Sequence, residues 1–314
     1  MPLLRLVPDG TKIPFMRGRH VGLALSALIS LASLVLAVWP GLNWGIDFKG
    51  GIVLEVRTQG PADFPAMRAA IAEAGVGGAS LQQFGSPSEV LVRMEAQPDE
   101  AAQQRAVAAV RSALEQSIPG ARVVRVEAVG SRVSAELFVA GMTALGMALL
   151  AILLYIWFRF EWQFAVGAVV TLVLDVTKAV GFLALTQIEF DLATVAALLT
   201  IIGYSVNDKV VVYDRMRENL RKYKTMPLRE LMDLSINETL SRTIGTSATT
   251  FLTVLPLALL TTGSVEGFAW TMLFGIVVGT SSSIFIASPI VLLLGEHRLR
   301  RGVEAPAAPA GSAG

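Results

Sequence analysis

Six stretches of the chain stay apolar for close to the twenty residues that a bilayer core demands. They cover 21–39, 137–158, 164–185, 192–213, 240–260 and 268–294, and each reads as a membrane-spanning helix. The first is too long for a signal-peptide core, and "LAVWPG" after it offers no small-x-small cleavage site, so it reads as a retained anchor. Residues 40–136 interrupt the apolar series, and their pattern changes period. "GIVLEVRT" alternates as a strand does, whereas "PADFPAMRAAIAEAG" places Met67, Ala70, Ile71 and Ala74 on one helical face. "ASLQQFG" and "SEVLVRME" are strand-like around a turn at Gly85, Pro87 and Ser88. "DEAAQQRAVAAVRSALEQSI" then carries Ala106, Val107, Val110 and Leu114 as a helical stripe, and "ARVVRVEAV" closes as a strand. The order β-α-β-β-α-β predicts a ferredoxin-like domain, a fold that licenses no activity by itself.

Basic residues orient the spans. Arg5, Lys12, Arg17 and Arg19 precede the first, and six Lys/Arg from Arg215 to Arg229 lie between the fourth and fifth. Arg298, Arg300 and Arg301 follow the last, while "TQIEFD" and "TTGSVEG" hold no Lys or Arg. By the positive-inside rule residues 1–20, the loop 214–239 and the tail 295–314, Pro/Ala-rich and disordered in character after Gly302, are cytoplasmic. The expected fold class is therefore an α-helical polytopic membrane protein with six transmembrane helices. An α+β ferredoxin-like periplasmic domain is inserted between helices 1 and 2.

Composition sharpens this picture. Of 314 residues 53% are hydrophobic and 16% charged, well below the quarter usual for soluble domains, and mean hydropathy is +0.59. A net charge of +1 speaks against a nucleic-acid partner. The absence of cysteine excludes disulfides and thiolate chemistry. His20 and His297, the only histidines, flank apolar segments at opposite ends of the chain, so no histidine base sits within the membrane. No metal, cofactor or catalytic set is expected, and the chain does not read as an enzyme.

What the apolar pattern does not explain is "IIGYSVNDKVVVYDRMREN", where Asn207, Asp208 and Lys209 break the fourth span. Asp175 and Lys178, three apart in the third span, share a face, and Arg242 opens the fifth, followed at helical spacing by Thr246, Thr249 and Thr253. Each such charge costs about 2.5–3.5 kcal/mol at a lipid-facing helix centre, so they should face protein or water. Ala197, Thr200, Tyr204, Ser205 and Asp208 form a small or polar stripe suited to helix packing, as do Gly275, Gly279, Ser283 and Ala287. Asp208 and Arg242 are both biased toward the cytoplasmic leaflet and can meet, either as a static ion pair or as an ion pathway. A carboxylate balanced between burial and a nearby arginine changes protonation when packing shifts. Asp175 and Lys178 admit the same two readings, and Lys209, with its long stem, reads as an interfacial anchor. In "GIDFKGG", Gly45, Asp47, Gly50 and Gly51 lack phosphate-loop spacing and read as a tight turn between membrane and soluble domain.

These residues carry a resemblance. "GIDFKGG", "TVAALLTIIGYSVNDKVVVYDRMREN", "SRTIGTSATT" and "GFAWTMLFGIVVGTSSSIFIASPIVL" resemble the SecF family of the bacterial SecDF export complex, within the resistance-nodulation-division superfamily. The likeness runs from Arg17 to about Leu294. It implies an inner-membrane subunit paired with SecD, acting with the SecYEG channel and YajC on translocating preprotein and driven by the proton-motive force. The family's membrane aspartate falls on Asp208 and its arginine on Arg242; Asp175, Lys178, Tyr204, Asn207 and Lys209 are this sequence's own candidates for supporting positions. The sequence departs from the family pattern at Ser131 and Ser134, often Pro and Gly, at Lys209, commonly Thr or Ser, and at Lys178, an added cation. Two alternatives stay open: a half-exporter of lipids or small molecules, which needs a deep apolar cleft in 40–136, and an assembly scaffold, to which Asp208 would be dispensable.

Overall fold

The computed structural model describes residue 8, residues 10–76 and residues 78–295. Arg5, His297, the arginines at 298–301 and the tail expected after Gly302 lie outside them. In chain order the helices are α1 (Arg19–Leu36), α2 (Ile46–Lys49), α3 (Phe64–Glu73), α4 (Glu100–Ser117), α5 (Ser131–Arg159) and α6 (Trp162–Thr186). There follow α7 (Leu192–Lys222), α8 (Leu228–Leu260), α9 (Ser264–Ser282), a π-helical turn (Ser283–Ala287) and α10 (Ser288–Gly295). The strands are β1 (Asn43–Trp44), β2 (Gly51–Arg57), β3 (Ala79–Phe84), β4 (Ser86–Met94), β5 (Arg122–Val129) and β6 (Glu189–Phe190). The chain divides into two compact units, one of residues 43–144 and 189–195, the other of the remaining chain.

In the first unit, β2 to β5 make an antiparallel sheet in the order β3-β4-β2-β5, with α3 and α4 as connections. This is the split β-α-β arrangement expected from the sequence. Alternation places Ile52, Leu54 and Val56 of β2 and Val90, Val92 and Met94 of β4 in the core. Met67 and Ile71 of α3 and Val110 and Leu114 of α4 cover them. Burying each of the larger side chains stabilises the domain by about 1.5–3 kcal/mol. Both helices start where an aspartate caps them: Asp63 Oδ1 accepts from Ala66 N at 3.1 Å and Asp99 Oδ1 from Ala102 N at 2.6 Å. A second, two-stranded sheet was not anticipated. "TQIEFD", read as a plain loop, contains β6, which pairs in parallel with β1.

In the second unit, the helices that overlie the third, fourth and sixth apolar stretches are the interior ones. Half or more of their apolar windows are buried (50%, 56% and 61%), against 17%, 6% and 11% for the first, second and fifth. All six are long and apolar enough to cross a membrane. The small-residue stripe of α9 explains its close packing on α7: a Cβ at Gly275 would overlap Ile201, and one at Gly279 would lie 3.1 Å from Ser205 Oγ. The segment 214–239, expected as a loop, is mostly helical, because α7 continues to Lys222 and α8 begins at Leu228. Side chains there knit the two helices together. Arg215 Nε donates to Glu238 Oε2 at 2.7 Å, Asn219 Nδ2 donates to the same oxygen at 2.7 Å, and Leu231, Met232 and Ser235 are buried. Backbone N–H of Met16 reaches Asp233 Oδ1 at 2.8 Å, which anchors the segment just before α1 on α8.

Candidate functional site

Three charged side chains lie at the centre of the helical unit with almost no exposure: Asp175 at 1%, Lys178 at 5% and Lys209 at 0%. α6 supplies the first two and α7 the third. Asp175 Oδ2 accepts from Ser282 Oγ at 2.7 Å, Ser205 Oγ at 2.8 Å and Lys209 Nζ at 3.1 Å. The ammonium also donates to Ser282 Oγ at 3.1 Å, to the Ser205 carbonyl at 3.4 Å and to Ser205 Oγ. Lys178 Nζ stands 3.9 Å from Asp175 Oδ1, an oxygen that accepts no hydrogen bond. The interfacial anchor expected of Lys209 is thus not what forms. Snorkelling would leave Asp175 with only the more distant Lys178 ammonium, and breaking a buried pair costs about 3–5 kcal/mol.

The neighbouring residue on α7 behaves differently. Asp208 is 8% exposed, and its Oδ1 accepts from Thr243 Oγ1 of α8 at 2.6 Å. Its Oδ2 has no partner among the described residues. Arg242, next to Thr243 on α8, is exposed, and among the described residues no ion pair joins it to Asp208. The structure therefore brings the expected pair to one helix contact without closing it. Tyr204 lies about a turn earlier on α7. Its hydroxyl donates to Ser247 Oγ at 2.9 Å, and Ser247 meets Thr280 Oγ1 at 2.7 Å, a polar link across α7, α8 and α9. Asn207 is exposed. The threonines spaced from Arg242 do not join the site: Thr246, Thr249 and Thr253 return their hydroxyls to carbonyls of their own helix. Sequence reasoning missed Thr243 and Ser282. Ser205, four residues before Lys209, was assigned only to packing although it shares that face.

Ser282 and Ser283 sit where α9 gives way to the π-helical turn. The first bonds Asp175, and the second borders the Asp208 carboxyl while donating to the Gly279 carbonyl at 3.0 Å. Such π-helical insertions recur at functional sites, since the extra residue re-aims neighbouring side chains.

"GIDFKGG" forms a clamp in the first unit. Gly45 N donates to the Phe190 carbonyl at 2.9 Å, extending the β1–β6 pair, and Asp47 Oδ2 accepts from Leu192 N, the first residue of α7, at 2.9 Å. A side chain at Gly45 would come within 3.0 Å of Glu189 Oε1. Gly51 has φ +136°, and a Cβ there would lie 2.7 Å from the Met94 carbonyl; Gly50 turns the chain at φ +71°. Trp44, Phe48, Phe138 and Phe190 pack as an aromatic cluster, and Arg93 pairs with Glu189 at 2.5 Å. Burial pushes the Glu189 carboxyl above its usual range against the pull of Arg93.

Comparison with known proteins gives a consistent result. A family model described as the C-terminal region of the protein export membrane proteins SecD/SecF matches residues 109–297, and one for the SecD/SecF GG motif matches residues 40–62. The chain is 43% identical over 304 residues to the protein translocase subunit SecF of Rickettsia felis, covering 96% of this chain and 97% of the relative. It is 43% identical over 308 residues to that of Rhodobacter capsulatus, covering 94% and 92%. The crystal structure of SecDF from Thermus thermophilus, a translocon-associated membrane protein, superposes with a TM-score of 0.82 at 33% identity. That superposition covers 91% of this chain but only 39% of the solved one. A super-membrane-facing form of SecDF gives 0.66 at 32% identity, covering 94% and 40%.

Proposed function

This chain belongs to the SecF family of protein translocase subunits, and from that premise we propose that it is the half of a proton-driven export machine whose working acid is Asp208. It is a membrane protein with six apolar helices. In this reading it lies in the bacterial inner membrane with both termini cytoplasmic, and the ferredoxin-like domain faces outward. SecD supplies the other half, which accords with a chain spanning about two fifths of the solved SecDF polypeptides. The complex draws on the proton-motive force to promote late stages of preprotein export through SecYEG, with YajC as a further partner. The subunit moves a proton and makes no covalent change, so it is not an enzyme.

One observation carries the mechanism. Asp208 is a buried carboxyl with one oxygen bonded and the other free, beside an arginine that is near but not engaged. A proton carrier needs that unfinished state. Arg242 approaching Asp208 favours the carboxylate and proton release, and its withdrawal favours uptake. The electrical driving force is about 2.3 kcal/mol per charge per 100 mV, comparable to one or two decades of proton affinity. Asp175 and Lys178, with Lys209, hold the helices on which this exchange occurs, and Tyr204 and Asn207 border it.

The alternative of a lipid or small-molecule exporter is less well supported. The grooves on the sheet domain, about 520 and 600 Å³, are lined largely by Gln, Glu, Arg, Ala and Gly and offer no deep apolar cleft. The test is export into inverted membrane vesicles prepared with and without this chain. Its removal should abolish the stimulation given by an imposed proton gradient and leave ATP-driven translocation in place. Undiminished stimulation without the chain would end this reading.

A further inference from the structure

A cavity of about 460 Å³ opens where α5 ends against the last turns of α7, lined by Arg159, Asp214, Arg217, Glu218, Arg221 and Lys222. Its charges do not cancel. Asp214 is held by Arg159, whose Nη2 reaches both carboxylate oxygens at 2.8 and 3.1 Å. Glu218 is drawn to Arg215, outside the cavity, at 2.6 Å. Among the described residues Arg217, Arg221 and Lys222 form no ion pair. Four cations against two carboxylates thus leave the lining with a net positive charge, an arrangement that favours entry of an anion.

The arginines are also fixed in advance. The guanidinium carbons of Arg159 and Arg217 stand 5.0 and 5.5 Å from the centroid of the same Phe160 ring. That ring is 6% exposed and packed on Phe164 and Tyr213. Arg217 Nη1 donates in addition to the Arg159 carbonyl at 3.2 Å. Guanidinium groups held in this way keep free N–H donors in the fork geometry that suits phosphate oxygens.

The surroundings identify the source of the phosphate. Trp157, Phe158 and Trp162, immediately before and after Arg159 and Phe160, are 57%, 86% and 41% exposed. Exposed aromatic residues at the end of one span and the start of the next mark the headgroup level of a bilayer. A basic pocket at that level meets lipid headgroups first, with an apolar rim ready for the acyl chains.

We propose that this cavity is a binding site for the phosphate of an anionic phospholipid, held by Arg217, Arg221 and Lys222 with Arg159 as the fixed wall. The site is independent of the proton pathway, so it stands whether or not Asp208 carries protons.

The test uses the full chain co-purified with SecD and placed in nanodiscs of phosphatidylcholine, with or without phosphatidylglycerol. Phosphatidylglycerol should co-purify through delipidation and raise the thermal midpoint. The double variant Arg217→Gln/Arg221→Gln should weaken retention by roughly tenfold or more, since each basic residue at a membrane surface contributes about 1 kcal/mol. Inorganic phosphate added to phosphatidylcholine discs should change nothing. Should Arg217→Gln disturb the packing on Phe160, the exposed pair Arg221→Gln/Lys222→Gln replaces it, with the same expected direction. Retention of phosphatidylglycerol unchanged in both variants overturns the proposal. So does inorganic phosphate raising the midpoint as far as the lipid does, because the site would then take a free anion.

Discussion

Asp175 and Asp208 are the same residue at neighbouring depths of one bundle, yet their surroundings are opposite. Asp175 has three donors on one oxygen, and one of them is the ammonium of Lys209, so its counter-ion is built into the adjacent helix and sealed from solvent. Asp208 accepts from the Thr243 hydroxyl with Ser283 beside it, its second oxygen has no geometric partner among the described residues, and its counter-ion on α8 stands off. Consecutive residues Asp208 and Lys209 point about 100° apart on an α-helix, which is enough to send one toward α8 and the other into the core. A charge whose partner is fixed holds structure. A charge whose partner is movable can do work.

Asp208→Asn attacks the side of this contrast proposed to carry the proton and should have the largest effect. It keeps shape and the Thr243 contact, so the subunit should fold and assemble with SecD, yet gradient-stimulated export in inverted vesicles should vanish. A normal gradient response in that variant would make the two aspartates equivalent. Asp175→Ala attacks the other side. It strands Lys209 and Lys178 in the core and should cost about 3–5 kcal/mol, read as a fall in thermal midpoint and in accumulated protein. Adding Lys209→Met should recover part of that loss, because it removes one of the two stranded charges and leaves Lys178. Failure of the double variant to recover would show that the pair does more than hold the helices.

Arg242→Ala and Arg242→Lys sharpen the comparison further. The exposed arginine should be dispensable for stability, and its removal should cut gradient-driven export severely. Lysine should restore part of it, since charge survives without the planar fork. The smallest expected effect belongs to Thr243→Val. It deletes the Thr243 hydrogen bond to Asp208, costs about 1–3 kcal/mol, and should shift the pH dependence of gradient-driven export more than its maximum. A change in the maximum alone would mean that Thr243 acts only in packing.

The sheet domain was legible because its signals are local. Period-two alternation in β2 and β4 and the stripes of α3 and α4 each fall within one short segment, and the caps Asp63 and Asp99 set the helix starts. The charges of the spans were legible as interruptions, but their pairing was not. Whether Lys209 reaches the interface or Asp175 depends on which face of α7 meets α6 and α9, and Gly275 and Gly279 decide that by letting α9 come close. Thr243 gave no signal because hydroxyls in membrane helices mostly bond their own backbone, as Thr246 and Thr253 do. β1 and β6 escaped notice because two residues are too few to show a period.

The parallel pairing of β1 with β6 also imposes an order of assembly. β2 to β5 all lie within residues 51–129, so that sheet can close as soon as its own residues have been made. The clamp cannot, because Asp47 and its partner Leu192 are 145 residues apart in the chain. At ordinary synthesis rates that gap is on the order of ten seconds, during which two further spans must be inserted and the turn between the third and fourth brought to the same side. Until then Trp44 and Phe48 wait without Phe190, and the start of α7 waits for Asp47. Closure of the clamp therefore comes after the sheet of β2 to β5 and waits on the two apolar helices between Asp47 and Leu192.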